Sequence, residues 1–298
     1  MKNAAKLLLC AVLAACVLCS CSVNVNVNPT ETTDAVTQTT TEKTTENKTG
    51  EPVQQQTETA SETATEKQTV SKADTDKKLK IVLDPGHDST AHTRNHPGLG
   101  VNEQDLNFKI ARACYRKLKQ YDCIDVYITR KNGDCPNSDK KYSDDKAHGD
   151  ACIYARTDFA EKKNADIFVS FHCNSSTGKL GAKANGAEVY VTKHSKLRVE
   201  SELLGKLVLE HITSALDLKS RGLKTRVKPE KVTYDDGTPK DYYYLLSNNI
   251  DNNRPAIIIE HAYMDNAHDN KILRDDESLK KLGEADADAI IDCYGLNL

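Results

Sequence analysis

Four side chains of this 298-residue sequence stand where acid, base and metal chemistry would need them. His87 follows the apolar run Ile81-Val82-Leu83 through Asp84-Pro85-Gly86. His172 ends Ile167-Phe168-Val169-Ser170-Phe171, Glu260 ends Ile257-Ile258-Ile259, and Glu103 comes 16 residues after His87. Open α/β sheets bind ligands just beyond their strand ends, so these groups share one edge if the strands are parallel. Two imidazoles and a carboxylate suit a single zinc ion, which in catalytic sites takes three protein ligands and keeps a fourth position open. Such an ion brings the pKa of water it holds toward about 7, and a nearby carboxylate can take that proton and hand it to a leaving amine. This assigns His87, Glu103 and His172 to the metal and Glu260 to the protons, although the residues alone would let the two glutamates exchange roles. Singly, a strand-end His is more often structural and a lone Glu solvated; the conjunction carries the reading. His92 and His96 are rival ligands, but nothing in their polar loop fixes their direction. His261 faces the opposite side if its strand persists, and His148, His194, His211 and His268 read as surface.

Holding four distant residues together requires a sheet. From Leu79 onward, short apolar runs alternate with longer segments of helical period, the pattern of an α/β domain with its sheet covered by helices. The first strand centres on 81–83 and is ended by Pro85-Gly86; runs at 125–129, 166–171, 187–191 and 256–259 supply four more. Between the first two, Leu106, Ile110, Ala113, Cys114 and Leu118 form one helical stripe with Asn102 at the N-cap position. Further helices are expected at 199–216 and 277–293. The polar, unperiodic stretch 131–150 reads as a surface loop. The run Tyr242-Tyr243-Tyr244 suits a groove wall or, better, a strand with one wet face.

The front of the chain sets its address. Residues 1–21 read as a signal segment, because the apolar run 7–18 is shorter than the roughly 20 residues a membrane span needs. Leu18-Cys19-Ser20-Cys21 makes Cys21 the candidate lipid-bearing residue; processing at Cys16 would leave Val17 and Leu18 exposed. Residues 22–78, rich in Thr, Glu, Gln, Lys and Ser, bury too little to fold and read as an extended tether. Residues 79–298 are then a single catalytic domain of an exported protein, lipid-anchored on the outer side of the cytoplasmic membrane or at the cell envelope. A net charge of −3 gives no footprint for nucleic acid. The domain's six cysteines permit disulfides, with Cys135 and Cys152 able to staple the polar stretch, or reduced thiols equally well.

Taken in order, Leu83-Asp84-Pro85-Gly86-His87, Asn102-Glu103-Gln104-Asp105-Leu106-Asn107, Thr129-Arg130, Ser170-Phe171-His172-Cys173-Asn174, Arg221-Gly222-Leu223-Lys224 and 259–266 resemble motifs of the zinc-dependent N-acetylmuramoyl-L-alanine amidases of the type 3 group. The resemblance spans about residues 80–296. It implies a mixed, mostly parallel sheet of about six strands flanked by helices, one bound Zn2+, and cleavage of the amide between N-acetylmuramic acid and L-alanine in peptidoglycan. It also implies that His87, Glu103 and His172 bind zinc, that Glu260 is the acid/base, and that Asn174 lies beside the site as a substrate-binding residue. The chain departs from the family at His261-Ala262-Tyr263, where one variable residue and Gly-Phe are usual, at Cys173, and in the length of 131–150. These change neighbours, not ligands. The expected partners are peptidoglycan and, through the lipid anchor, the membrane; no protein activator is specified. The competing readings are a zinc peptidase acting on stem peptides and a silent wall-binding lipoprotein, the latter disfavoured by the complete chemical set.

Overall fold

The computed structural model describes residues 77–88, 95–131, 133–136 and 145–296. The expected signal segment with Cys21, nearly all of the tether, His92 and the side chains of His96 and His148 lie outside the described residues. In chain order the strands are β1 (Leu79–Pro85), β2 (Asn95–His96), β3 (Val101–Asn102), β4 (Ile124–Ile128), β5 (Ile167–Asn174), β6 (Ala187–Tyr190), β7 (Ser220–Lys224) and β8 (Ala256–Tyr263). The helices are α1 (Glu103–Leu118), α2 (Asp145–Lys162), α3 (Arg198–Ala215), α4 (Tyr244–Asp251), α5 (Ala267–Leu273) and α6 (Asp276–Tyr294). Six strands form one mixed sheet in the order β4-β1-β5-β8-β6-β7, and β2 with β3 form a separate antiparallel pair. Strands β4, β1, β5 and β8 run parallel; β6 meets β8 antiparallel, and β7 follows β6 in parallel.

Side chains alternate across a strand, which decides what each face buries. Ile81, Leu83, Val169, Phe171, Ile257 and Ile259 enter the larger core beneath α1, α3 and α6, whereas Val82, Phe168 and Ile258 enter a smaller one beneath α2 and α4. Both faces are covered, which is why these strands read as unbroken apolar runs. Each such side chain contributes roughly 1.5–3 kcal/mol by leaving water. Helices α1 and α6 approach so closely that a Cβ at Gly283 would lie 2.2 Å from the carbonyl oxygen of Ile110.

Several expectations change. The expected 131–150 loop ends early, because α2 begins at Asp145 and continues to Lys162. Its inward residues include Cys152, Arg156 and Thr157 beside Ala155 and Ala160, so no apolar stripe announces it. Strand β7 was not anticipated, being a half-exposed edge without a β-branched residue. Tyr244 opens α4, so the tyrosine run is not a strand. Asn102 occupies the N-cap position of α1 without capping it; its amide instead donates to Asp105 at 3.4 Å. No disulfide joins the six domain cysteines. Of the expected surface histidines whose side chains are described, His268 is exposed, whereas His194 and His211 are partly buried against Asp236 and Asp292. Among the described residues, no helix is long and apolar enough to cross a membrane.

Candidate metal centre and active site

Strands β1, β5 and β8 end at one sheet edge, and α1 begins there. His87 Nε2 lies 3.1 Å from Glu103 Oε1, and His172 Nδ1 lies 3.1 Å from the same oxygen. All three donor atoms fall within 4.8 Å of one another. Around a tetrahedral zinc with bonds of about 2.0–2.1 Å, neighbouring ligand atoms are ~3.4 Å apart, so the three fit one such ion with little movement. Burial lowers the His87 pKa despite the opposing Glu103, which suits the neutral imidazole a metal requires. At His172 burial works in the same direction, but Glu103 and Glu260 outweigh it and the pKa rises. Burial would raise Glu103 too; the two imidazoles overcome it and hold the carboxyl well below its usual range.

Glu260 lies across from His172 in the β5–β8 register. It is partly open to solvent as a residue, yet its Oε2 is sealed and has no hydrogen-bond partner. Burial pushes its carboxyl up to about 7, with His172 opposing and Glu103 and Glu188 reinforcing the rise. A carboxyl poised near neutrality can both take and return a proton. Glu188 of β6 faces Glu260 from the other side. His172, Glu260 and Glu188 therefore form a row across three strands, on the face beneath α2 and α4.

The loop bearing His87 is clamped by its carbonyls. Arg156 donates to Asp84 Oδ1 at 2.6 Å, to the Pro85 carbonyl at 2.7 Å and to the His87 carbonyl at 2.6 Å. Arg130 donates to the carbonyls of Pro85, Gly86 and Gln104, and Asn107 also donates to that of Gly86. Asp84, fully buried, accepts from Thr129, Arg156 and Ser170. Burial favours its neutral form, but these partners hold its pKa below the ordinary value. Position 86 must be glycine, since a Cβ there would lie 2.2 Å from the His172 ring. The clamp also holds His87 at φ 59, a left-handed conformation uncommon outside glycine and often found where function demands it.

This arrangement coincides with a family match. The family profile for N-acetylmuramoyl-L-alanine amidase (Amidase_3) matches residues 81–292. The chain belongs to this amidase family. A cell wall amidase of Bacillus anthracis, itself uncharacterized, is 26% identical over 219 residues, covering 72% of this chain and 35% of that protein. Among solved structures, Cwp6 from Clostridium difficile matches at 28% identity and a TM-score of 0.56, over 72% of this chain and 29% of its own. The CwlD amidase from Clostridioides difficile, solved in complex with the GerS lipoprotein, shares the fold over 73% of this chain and 98% of its own, at 23% identity and a TM-score of 0.58. The chain thus spans about a third of the length of the first two relatives.

Within this amidase domain, Asn174 lies at the end of β5, where its amide donates to Glu188 at 2.9 Å and its carbonyl oxygen accepts from the Ser175 backbone. Glu188, which pairs with Glu260 in the β6–β8 register, is also held by Arg221 at 2.7 Å. Sequence reasoning overlooked Glu188, Arg221, Arg156 and Asp84 as contributors. Two of them, Asp84 and Arg221, stood in segments that resemble the family's motifs, which was the available signal. His261, facing away from Glu260 as expected, lies against α6: Nδ1 donates to the His172 carbonyl at 2.9 Å and Nε2 lies 2.9 Å from Asp286. The tyrosine run reaches the rim of the site, with Tyr243 edge-on to Tyr190 and Arg226 stacked 3.7 Å over Tyr242.

Proposed function

We propose that this chain is an exported, lipid-tethered zinc amidase that hydrolyses the bond between N-acetylmuramic acid and L-alanine in peptidoglycan. The observation that carries this reading is the convergence of His87, Glu103 and His172 beside Glu260, whose sealed Oε2 lacks a partner, in a chain of this family. In this reading the first three hold one zinc ion. When bound, zinc supplies a Lewis acid that polarises the scissile carbonyl and acidifies water. Glu260 takes a proton from the attacking water and delivers it to the leaving amine nitrogen of L-alanine. Its two carboxylate neighbours keep the proton affinity high enough for both halves of that task. Arg156 and Arg130 keep the His87 loop rigid, so the ligand geometry is already set before substrate arrives. Asn174 and Arg221, joined through Glu188, line the substrate side. Cys21 would carry the lipid, and residues 22–78 would give the reach from the membrane to the wall.

The decisive experiment digests purified peptidoglycan with the mature chain, with and without a chelator, and identifies the products by mass spectrometry. Intact stem peptides beginning at L-alanine, lost on chelation and restored by zinc, are the expected result. Fragments cut within the stem would instead indicate a peptidase. Full hydrolysis by Glu260→Ala would remove Glu260 from the mechanism.

A further inference from the structure

Beside the His87 loop lies a second group of convergent donors. Asp88, Cys135 and Cys152 are 3%, 3% and 4% exposed, and one ligand atom from each falls within 4.8 Å of the other two. Cys152 Sγ donates to Asp88 Oδ2 at 3.0 Å and receives Arg156 Nη2 at 3.6 Å. We propose that Asp88, Cys135 and Cys152 form a second metal site, a thiolate-rich centre for zinc or a similarly thiophilic divalent cation. This proposal does not depend on the amidase activity.

Three arguments support it. Two sulfurs and a carboxylate oxygen are zinc donors; with bonds of about 2.3 Å to sulfur and 2.0–2.2 Å to oxygen, a tetrahedral ion separates them by ~3.6–3.8 Å, within the observed spread. Next, the thiol proton now shared between Cys152 and Asp88 sits where a cation would. Binding forms two metal–sulfur bonds and one metal–oxygen bond, and releases the two thiol protons to water. Finally, a disulfide would use only the two sulfurs and would remove the thiol donor that the buried Asp88 accepts from, whereas a cation engages all three groups. Arg156, whose charge would oppose a cation, is already paired with Asp84 at 2.6 Å.

The site has a structural purpose. Asp88 directly follows His87, and Cys152 stands one helical turn before Arg156, which holds the His87 carbonyl. A cation there fastens α2 and the segment at Cys135 to the loop that presents a catalytic-centre ligand.

The test uses the mature chain, reduced, stripped of metal and titrated with zinc or cobalt. Two equivalents of zinc are expected. Cobalt should produce a thiolate-to-metal charge-transfer band in the near ultraviolet, which two imidazoles and a carboxylate cannot give. Cys135→Ser/Cys152→Ser should lose the band and bind one equivalent; His87→Ala/His172→Ala should keep the band and bind one. X-ray absorption on the unaltered zinc protein, which needs no variant to fold, should show sulfur neighbours at about 2.3 Å. A single equivalent without sulfur neighbours, a band that survives the double serine variant, or a native mass two hydrogens short with residues 135 and 152 linked would overturn the proposal.

Discussion

Glu260→Gln separates what the glutamate does for chemistry from what it costs the fold. The Glu260 carboxyl stands at about 7 instead of 4.5, so the metal-free folded chain holds its proton more tightly than the unfolded chain does. The stability this provides is complete below about pH 4.5 and disappears as pH rises through about 7. The interval of about 2.5 pH units, at ~1.4 kcal/mol each, gives about 3–4 kcal/mol; partial exposure of the side chain makes that an upper bound. Glutamine imitates the protonated acid at every pH. Without metal, Glu260→Gln should melt with the parent at pH 4.5, but above it at pH 8 by roughly 2–3 kcal/mol, or about 4–12 °C for a domain of this size. Bound zinc favours the carboxylate and should shrink the difference. Hydrolysis should fall by at least ~100-fold. Thermal unfolding followed by circular dichroism in chelator, at both pH values, reads the effect. An equal melting difference at pH 4.5 and pH 8 would refute the buried-carboxyl argument, and retained hydrolysis would refute the proton-transfer role.

Arg156→Met leaves Asp84 buried without its cation, so urea unfolding should show a loss of about 3–5 kcal/mol, partly recovered by adding Asp84→Asn. Gly86→Ala drives a methyl into the His172 ring, and chelator competition should find zinc affinity lowered by ~10–100-fold, the range seen when the support of a ligand is disturbed. Glu188→Gln removes a like charge beside Glu260, so the acidic limb of kcat/KM should move to lower pH; an unmoved limb would exclude electrostatic contact between them.

What the sequence revealed follows the physics of each element. Helix α1 was readable because Leu106, Ile110, Ala113, Cys114 and Leu118 are all buried on one stripe. His87, His172 and Glu260 were readable because they end apolar strands that are covered on both faces. Helix α2 was not, because its buried face carries an arginine, a threonine and a cysteine where an apolar period would be sought. Arg156 looks like any surface arginine until the fold brings it to Asp84, 72 residues away. Glu188 was invisible for a related reason: its place opposite Glu260 arises from an antiparallel pairing that neither strand encodes alone.

The sheet order has a further consequence for assembly. Strand β8 is the last to leave the ribosome, yet it sits between β5 and β6. The leading three strands and the trailing β6–β7 pair therefore remain two unjoined halves until residues 256–263 slide between them. The closing strand also delivers Glu260. A nascent or truncated chain has its three candidate ligands but lacks Glu260, the group proposed to move protons, so under that proposal the full set is assembled only with the final joining of the sheet.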